Sequence, residues 1–205
     1  LGQPETVGWQ PELVSYPPAR VAGVSDAVAL SADMSGTCVL DGEGQVTCWG
    51  DLSVGGLEQV PTGTPAVVQG LGRLLSVARG AIHACAQTWS GEVRCWGGNT
   101  SGQIGHGEAG DKASAPVDPI LTDVVDADGG QHHLCAVTGD GAVWCWGGNG
   151  FGQLGDGTRV EQKVPVRVGV VPEAAAVATG PFQSCARTLS GQVWCWGRSY
   201  VGDDD

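Results

Sequence analysis

Eight cysteines are the residues of this 205-residue chain whose type and spacing offer the most chemistry: Cys38, Cys48, Cys85, Cys95, Cys135, Cys145, Cys185 and Cys195. Each pair reads Cys-x9-Cys, and the first members step by 47, 50 and 50 residues. A cysteine serves as a nucleophile, a metal ligand or half of a disulfide. A zinc site needs four converging ligands, whereas each pair supplies two, and the nearby His83 and His133 are not repeated in the other copies. Other candidates for chemistry are weaker. No G-x-S-x-G nucleophile elbow is present. The run Gly147-Gly148-Asn149-Gly150 lacks the Lys-Ser/Thr of a phosphate-cradling loop. Gly139-Asp140-Gly141 and Gly155-Asp156-Gly157 fit neither an EF-hand nor a nonapeptide calcium repeat, so they read as turns. No catalytic residue, metal or cofactor is expected.

The elements that must position the cysteines are clearest in the third copy. His133 to Thr138 reads as a strand, Gly139-Asp140-Gly141 as a turn with glycine supplying positive φ, and Ala142 to Trp146 as the return strand. Folding about Asp140 sets Cys135 opposite Cys145. Turns at Glu43, Ser90 and Ser190 do the same for the other pairs. Opposed residues of an antiparallel ladder have Cα atoms roughly 4.5–5.5 Å apart, inside the range a disulfide accepts. Of about 105 possible pairings of eight cysteines, hairpin geometry selects 38–48, 85–95, 135–145 and 185–195. Free buried thiols and metal binding are the alternatives. Each bridge would contribute about 2–3 kcal/mol, and bridges in every copy imply an oxidising place: extracellular, periplasmic or cell-surface.

Every second cysteine is followed by Trp-Gly, and Pro18, Pro65, Pro116 and Pro165 precede the first cysteines by 19 or 20 residues. Features that keep one phase define an internal repeat of roughly 50 residues. Each copy holds the hairpin and two flanking strands, such as Pro165-Val166-Arg167-Val168 and Ala174 to Thr179, which is the content of a β-propeller blade. Trp146 and Cys145 point to opposite faces, so both faces of the sheet are apolar and neighbours must cover both. The tryptophans therefore read as core.

Composition excludes several classes. Gly makes up 35 residues, but without a G-X-Y period, so collagen is ruled out. A net charge of −12 opposes binding to nucleic acid or to an anionic membrane. No apolar run approaches the ~18 residues of a membrane span, so membrane insertion is not expected.

The string Gly130, His133, Cys135-Ala136, Gly141, Val143, Cys145-Trp146-Gly147, Asn149, Gly152-Gln153-Leu154-Gly155, Gly157 resembles the RCC1-type repeat (regulator of chromosome condensation). The second copy matches through Gly80, His83, Cys85-Ala86, Gly91, Val93, Cys95-Trp96-Gly97, Asn99 and Gly102-Gln103-Ile104-Gly105. The cysteine pair resembles the bacterial, secreted branch of that family. Departures are Asp33 for the first glycine, Gly36 and Gln183 for the histidine, and Ser53-Val54-Gly55 and Tyr200-Val201-Gly202 for the Gln-Leu-Gly signature.

The expected fold is an all-β, RCC1-like propeller of four blades in one domain. The repeats run over 1–50, 51–97, 98–147 and 148–197, with 198–205 starting another. The family closes seven blades, so the chain reads as part of a longer propeller, with a closed or assembled four-blade unit as the alternative. It opens Leu1-Gly2-Gln3-Pro4 without an initiator Met, which suits a processed or excised piece. The resemblance implies a non-catalytic module whose loops bind another protein. Its founding member implies the alternative of nucleotide exchange on a small GTPase, and open blade ends imply self-association or a structural role in an extracellular assembly. One segment stands off the repeat. Fifteen residues, Gln3 to Pro17, precede the first blade where other copies have about ten, and they carry Trp9 and Tyr16 as candidate partner contacts.

Overall fold

The computed structural model describes residues 18–32, 36–50, 64–113, 116–117 and 120–198. Trp9 and Tyr16, with the rest of the long first segment, lie outside the described residues, as do 51–63 and 199–205. The described residues form fifteen strands and no helix.

Four antiparallel sheets follow one another along the chain. Blade 1 holds β1 (Ala27–Ala32), β2 (Gly36–Asp41), β3 (Val46–Gly50) and β4 (Ala66–Val67). Blade 2 holds β5 (Leu74–Arg79), β6 (His83–Thr88), β7 (Val93–Asn99) and β8 (Gly110–Ala113). Blade 3 holds β9 (Val124–Gly129), β10 (His133–Thr138), β11 (Val143–Gly147) and β12 (Gln162–Arg167). Blade 4 holds β13 (Ala174–Thr179), β14 (Gln183–Thr188) and β15 (Val193–Gly197). The sheets are framed differently from the repeats, since the strands at Pro65 and Pro165 pair with the hairpin before them: β4 lies on β3, and β12 on β11.

The central hairpin folds as its turn chemistry dictates. In blade 3, Gly141 adopts φ +77°, and the carboxylate of Asp140 accepts the Ala142 N–H at 3.1 Å and the Thr138 hydroxyl at 2.6 Å. A side chain at Gly141 would also press on Glu173 of blade 4, 2.9 Å away. This turn sets the register, and Cys135 faces Cys145. The same register pairs Cys38 with Cys48, Cys85 with Cys95 and Cys185 with Cys195. All four pairs stand at disulfide distance, with S–S separations of 1.98 to 2.12 Å.

Blades stack by one rule. The cystine face of each packs on the tryptophan face of the next. Cys85, Val93, Cys95 and Ile104 of blade 2 enclose Leu134, Ala136 and Trp146 of blade 3. Cys135, Val143, Cys145 and Leu154 of blade 3 pack against Val177, Ala186 and Trp196 of blade 4. At the hairpin-turn end, backbone bonds stitch neighbours together: Leu74 N–H donates to the Gly44 carbonyl, Val124 to Gly91 and Ala174 to Gly141.

Candidate functional site

Two kinds of side chain hold the surface in shape: those that lock blade to blade and those that order the loops. The Trp146 indole donates to the Gln103 carbonyl at 3.0 Å, and the Trp196 indole donates to that of Gln153 at 2.8 Å. The glycine after each Gln-Leu or Gln-Ile makes room for the ring, because a Cβ at Gly105 or Gly155 would stand 2.7 or 2.9 Å from the indole nitrogen. The Asn of the repeat orders the loop from within. Asn149 donates to the carbonyls of Thr158 and Val160 and accepts the Leu154 N–H, while Gln153 accepts the Phe151 N–H. Asn99 and Gln103 repeat the pattern in blade 2. Asp156 joins this network. Partial burial works against its charge, but hydrogen bonds from Thr158, Gln162 and Asn149 hold its pKa below the usual carboxylate value.

His133 is a clamp between blades. Its ring is fully buried, with Nε2 2.8 Å from the Ser184 hydroxyl, which itself donates to the Gln153 carbonyl at 2.9 Å. The serine proton is thus committed to a carbonyl, and Nε2–H donates to the serine. The pair is sealed from solvent and oriented for structure rather than for nucleophilic attack. Desolvation, with a smaller push from His132, lowers the His133 pKa to about 4, so the ring is neutral at pH 7.

Blade 1 solves the same packing problem differently. Gly36 stands where blades 2 and 3 have His83 and His133, and the guanidinium of Arg79 occupies the space, 4% exposed and 3.8 Å from Cys38 Sγ. A Cβ at Gly36 would meet that guanidinium at 3.1 Å. The substitution noticed in the sequence is half of an exchange, histidine for glycine in one blade against a small residue for arginine in the next.

The inner strands are bridged by carboxylates. Asp126 accepts the Val177 N–H at 2.8 Å, and Asp128 accepts the N–H and hydroxyl of Thr179 at 2.7 and 3.0 Å. Burial raises the Asp128 pKa against those hydrogen bonds. Asp128, Ser31, Arg79 and Thr179, with Gly80, Gly130 and Gly180, line a hollow of about 260 Å³. Among the described residues, no three His, Cys, Asp or Glu side chains gather as a metal ion would require.

The side chains left facing solvent are the ones able to recognise a partner. At the loop end, Phe151 and Phe182 meet with ring centroids 4.8 Å apart, and the Arg198 guanidinium lies 5.2 Å over Phe151, itself 42% exposed. These are the only two phenylalanines of the chain. They sit where blade 2 has Ser101 and Ile82, a departure from the repeat that was visible in the sequence and not singled out there. At the other end, Trp89 is 63% exposed beneath Arg73, and with Trp194, exposed on blade 4, it departs from tryptophan as core.

Residues 140–187 match the family described as the regulator of chromosome condensation (RCC1) repeat, and a second family of that description matches 124–153 and 174–203. Among solved structures, Prp20p from Saccharomyces cerevisiae, studied for its binding to Gsp1p and histones, superposes with a TM-score of 0.76. It shares 24% identity over 88% of this chain and 48% of its own. Human WBSCR16 superposes at 0.74, with 24% identity over 83% and 47%. Yeast RCC1 (Prp20) bound to Kap60 gives 0.72, with 23% over 86% and 45%. At such identities the likeness is one of fold, and the chain spans about half the length of these structures. No curated protein sequence matches it.

Proposed function

Since this chain is built of RCC1-type repeats folded as four propeller blades, we propose that it is a non-catalytic protein-binding module working in an oxidising setting, secreted or displayed at a surface. The observation that carries the reading is the Phe151–Phe182–Arg198 cluster. Aromatic rings and arginine are enriched in protein interfaces, and here a tilted phenylalanine pair with arginine over it stands on loops ordered from within by Asn149 and Gln153. Protein partners of similar folds, Gsp1p, histones and Kap60, support binding of proteins by this architecture. The four cystine pairs support the location, because such bridges are rare in reducing compartments. They weigh against the alternative, exchange of nucleotide on a small GTPase inside the cell.

The test joins both parts. Intact mass of native material should rise on reduction by the hydrogens of four disulfides, and no rise sinks the location. A photo-crosslinking residue at position 151 should capture one protein, with the yield lost in Phe182→Ser and Arg198→Ser. Capture that ignores both substitutions would sink the site.

A further inference from the structure

The hairpin-turn end carries a second surface, unrelated to the loop cluster and roughly 17 Å from it along five-residue strand rises. The second residue of each inner strand points outward there, and it is apolar in every blade: Val28, Leu75, Val125 and Ala175. Three of these are strongly exposed, at 66, 44 and 52%. Trp89 and Leu189, exposed at the turns of blades 2 and 4, extend the row. The blade-to-blade bonds Leu74 to Gly44, Val124 to Gly91 and Ala174 to Gly141 hold these positions on one continuous arc. Exposed apolar side chains repeated at a fixed place, on a scaffold that buries the equivalents one residue earlier (Leu74, Val124 and Ala174), mark a surface that meets something.

The charge around the arc states what that something is. The residue before each inner strand is Asp26, Arg73, Asp123 and Glu173, and the turns add Asp41, Glu43 and Asp140. Of the arginines near this edge, Arg73 lies over Trp89 and is engaged there, while Arg167 sets one positive charge near Asp140 within an otherwise acidic rim. Between blades 3 and 4 the two features converge. A groove of about 450 Å³ is lined by Val125 and Leu189 together with Asp140 and Glu173. Hydrogen bonds from Thr138 and the Ala142 N–H keep the Asp140 carboxylate charged by lowering its pKa.

We propose that this arc, centred on the groove between the turns of blades 3 and 4, docks a cationic amphipathic polypeptide segment. Its aliphatic side chains would lie on Val125 and Leu189, and its Lys or Arg side chains would reach Asp140, Glu173 and Asp123. Complementarity of both charge and apolar surface selects this occupant over an acidic segment or an anionic membrane.

The test uses the full chain and three labelled synthetic peptides: an amphipathic Leu/Lys peptide, its Leu/Glu counterpart, and a Ser/Lys peptide of the same charge. Fluorescence anisotropy at about 0.15 M salt, where long-range attraction is screened, should show saturable one-to-one binding of Leu/Lys only. Val125→Lys with Leu189→Lys should weaken it at least about tenfold. Asp140→Asn with Glu173→Gln should weaken it several-fold, and Phe151→Ser should leave it unchanged. All these positions are exposed, and circular dichroism verifies that the variants fold. Equal binding of the Ser/Lys peptide would reduce the effect to diffuse attraction by the −12 charge and overturn the proposal. No binding, or binding indifferent to the lysine pair, overturns it equally.

Discussion

Blades 3 and 4 are written in nearly the same hairpin, Val-Trp-Cys-Trp-Gly returning opposite a cysteine strand, yet they live in different surroundings. Val143 is 2% exposed and Val193 67%; Cys145 is sealed and Cys195 open; Trp146 is fully buried and Trp196 half-buried. The backbone does not differ, since both hairpins share one register and one glycine turn. The neighbour does. Blade 3 lies between two sheets, while the cystine face of blade 4 has no sheet against it among the described residues. Stability in such an array is a sum of blades and interfaces. Identical residues must therefore contribute unequally according to place.

The largest expected consequence concerns the tryptophans. Trp146→Ala empties a site closed on all sides and should cost about 3–5 kcal/mol. Trp196→Ala, which already has water along one side, should cost about half of that. Urea titration followed by circular dichroism reads the difference, with each transition checked for intermediates because repeat arrays depart from two-state unfolding. Equal losses would break the comparison, since they would mean that the neighbour beyond a blade is irrelevant to it.

Next in size is an effect of acid on the interface between the two blades. His133 has a folded pKa of about 4 against about 6.5 when unfolded. Between these values the unfolded chain binds more protons, so stability falls as pH drops from 6.5 to 4 and is flat below, by about 3 kcal/mol in all. Asp128, whose pKa burial raises, works the other way, because the folded chain takes up its proton first. Urea midpoints at pH 7 and pH 4.5 should therefore differ, and His133→Gln should flatten the difference. Gln183, the equivalent residue in blade 4, already carries no titrating ring. If the slope survives in His133→Gln, the clamp with Ser184 is not its source.

How far these differences could be read beforehand depends on whether they are local. The hairpins, the pairing of cysteines across them and the propeller-like repeat were legible because turn glycines and strand periodicity act within ten residues. Asn149 and Gln153 were legible as a motif, though their role in ordering the loop arises only once the loop folds back on them. The exchange of Gly36 against Arg79 was not legible, since its halves lie 43 residues apart and join only when blades stack. Trp89 escaped for the opposite reason: its neighbours in sequence suit a core strand, and only its place just past the end of β6 turns it outward. The framing of sheets also lay beyond reach, because a repeat has no marked beginning.

The smallest expected effect is the order in which the cystines yield. Cys135–Cys145 is buried by blade 4, so a reductant reaches it only when the stack opens. Among the described residues no sheet packs on the face that carries Cys195, so in this chain Cys185–Cys195 needs no such opening. Mild phosphine under native conditions, followed by maleimide labelling and peptide mapping, should mark Cys185 and Cys195 first, at least about tenfold faster, as expected when opening free energies differ by more than 1.4 kcal/mol. Replacing this pair with alanines should loosen blade 4 by about 2 kcal/mol and leave the hydrogen-exchange protection of blades 2 and 3 nearly unchanged. The same replacement at Cys135 and Cys145 should lower protection in both blades that share the interface. Labelling of all four pairs at one rate would require that the array opens as a unit, and the difference between an inner blade and an outer one would then vanish from its dynamics.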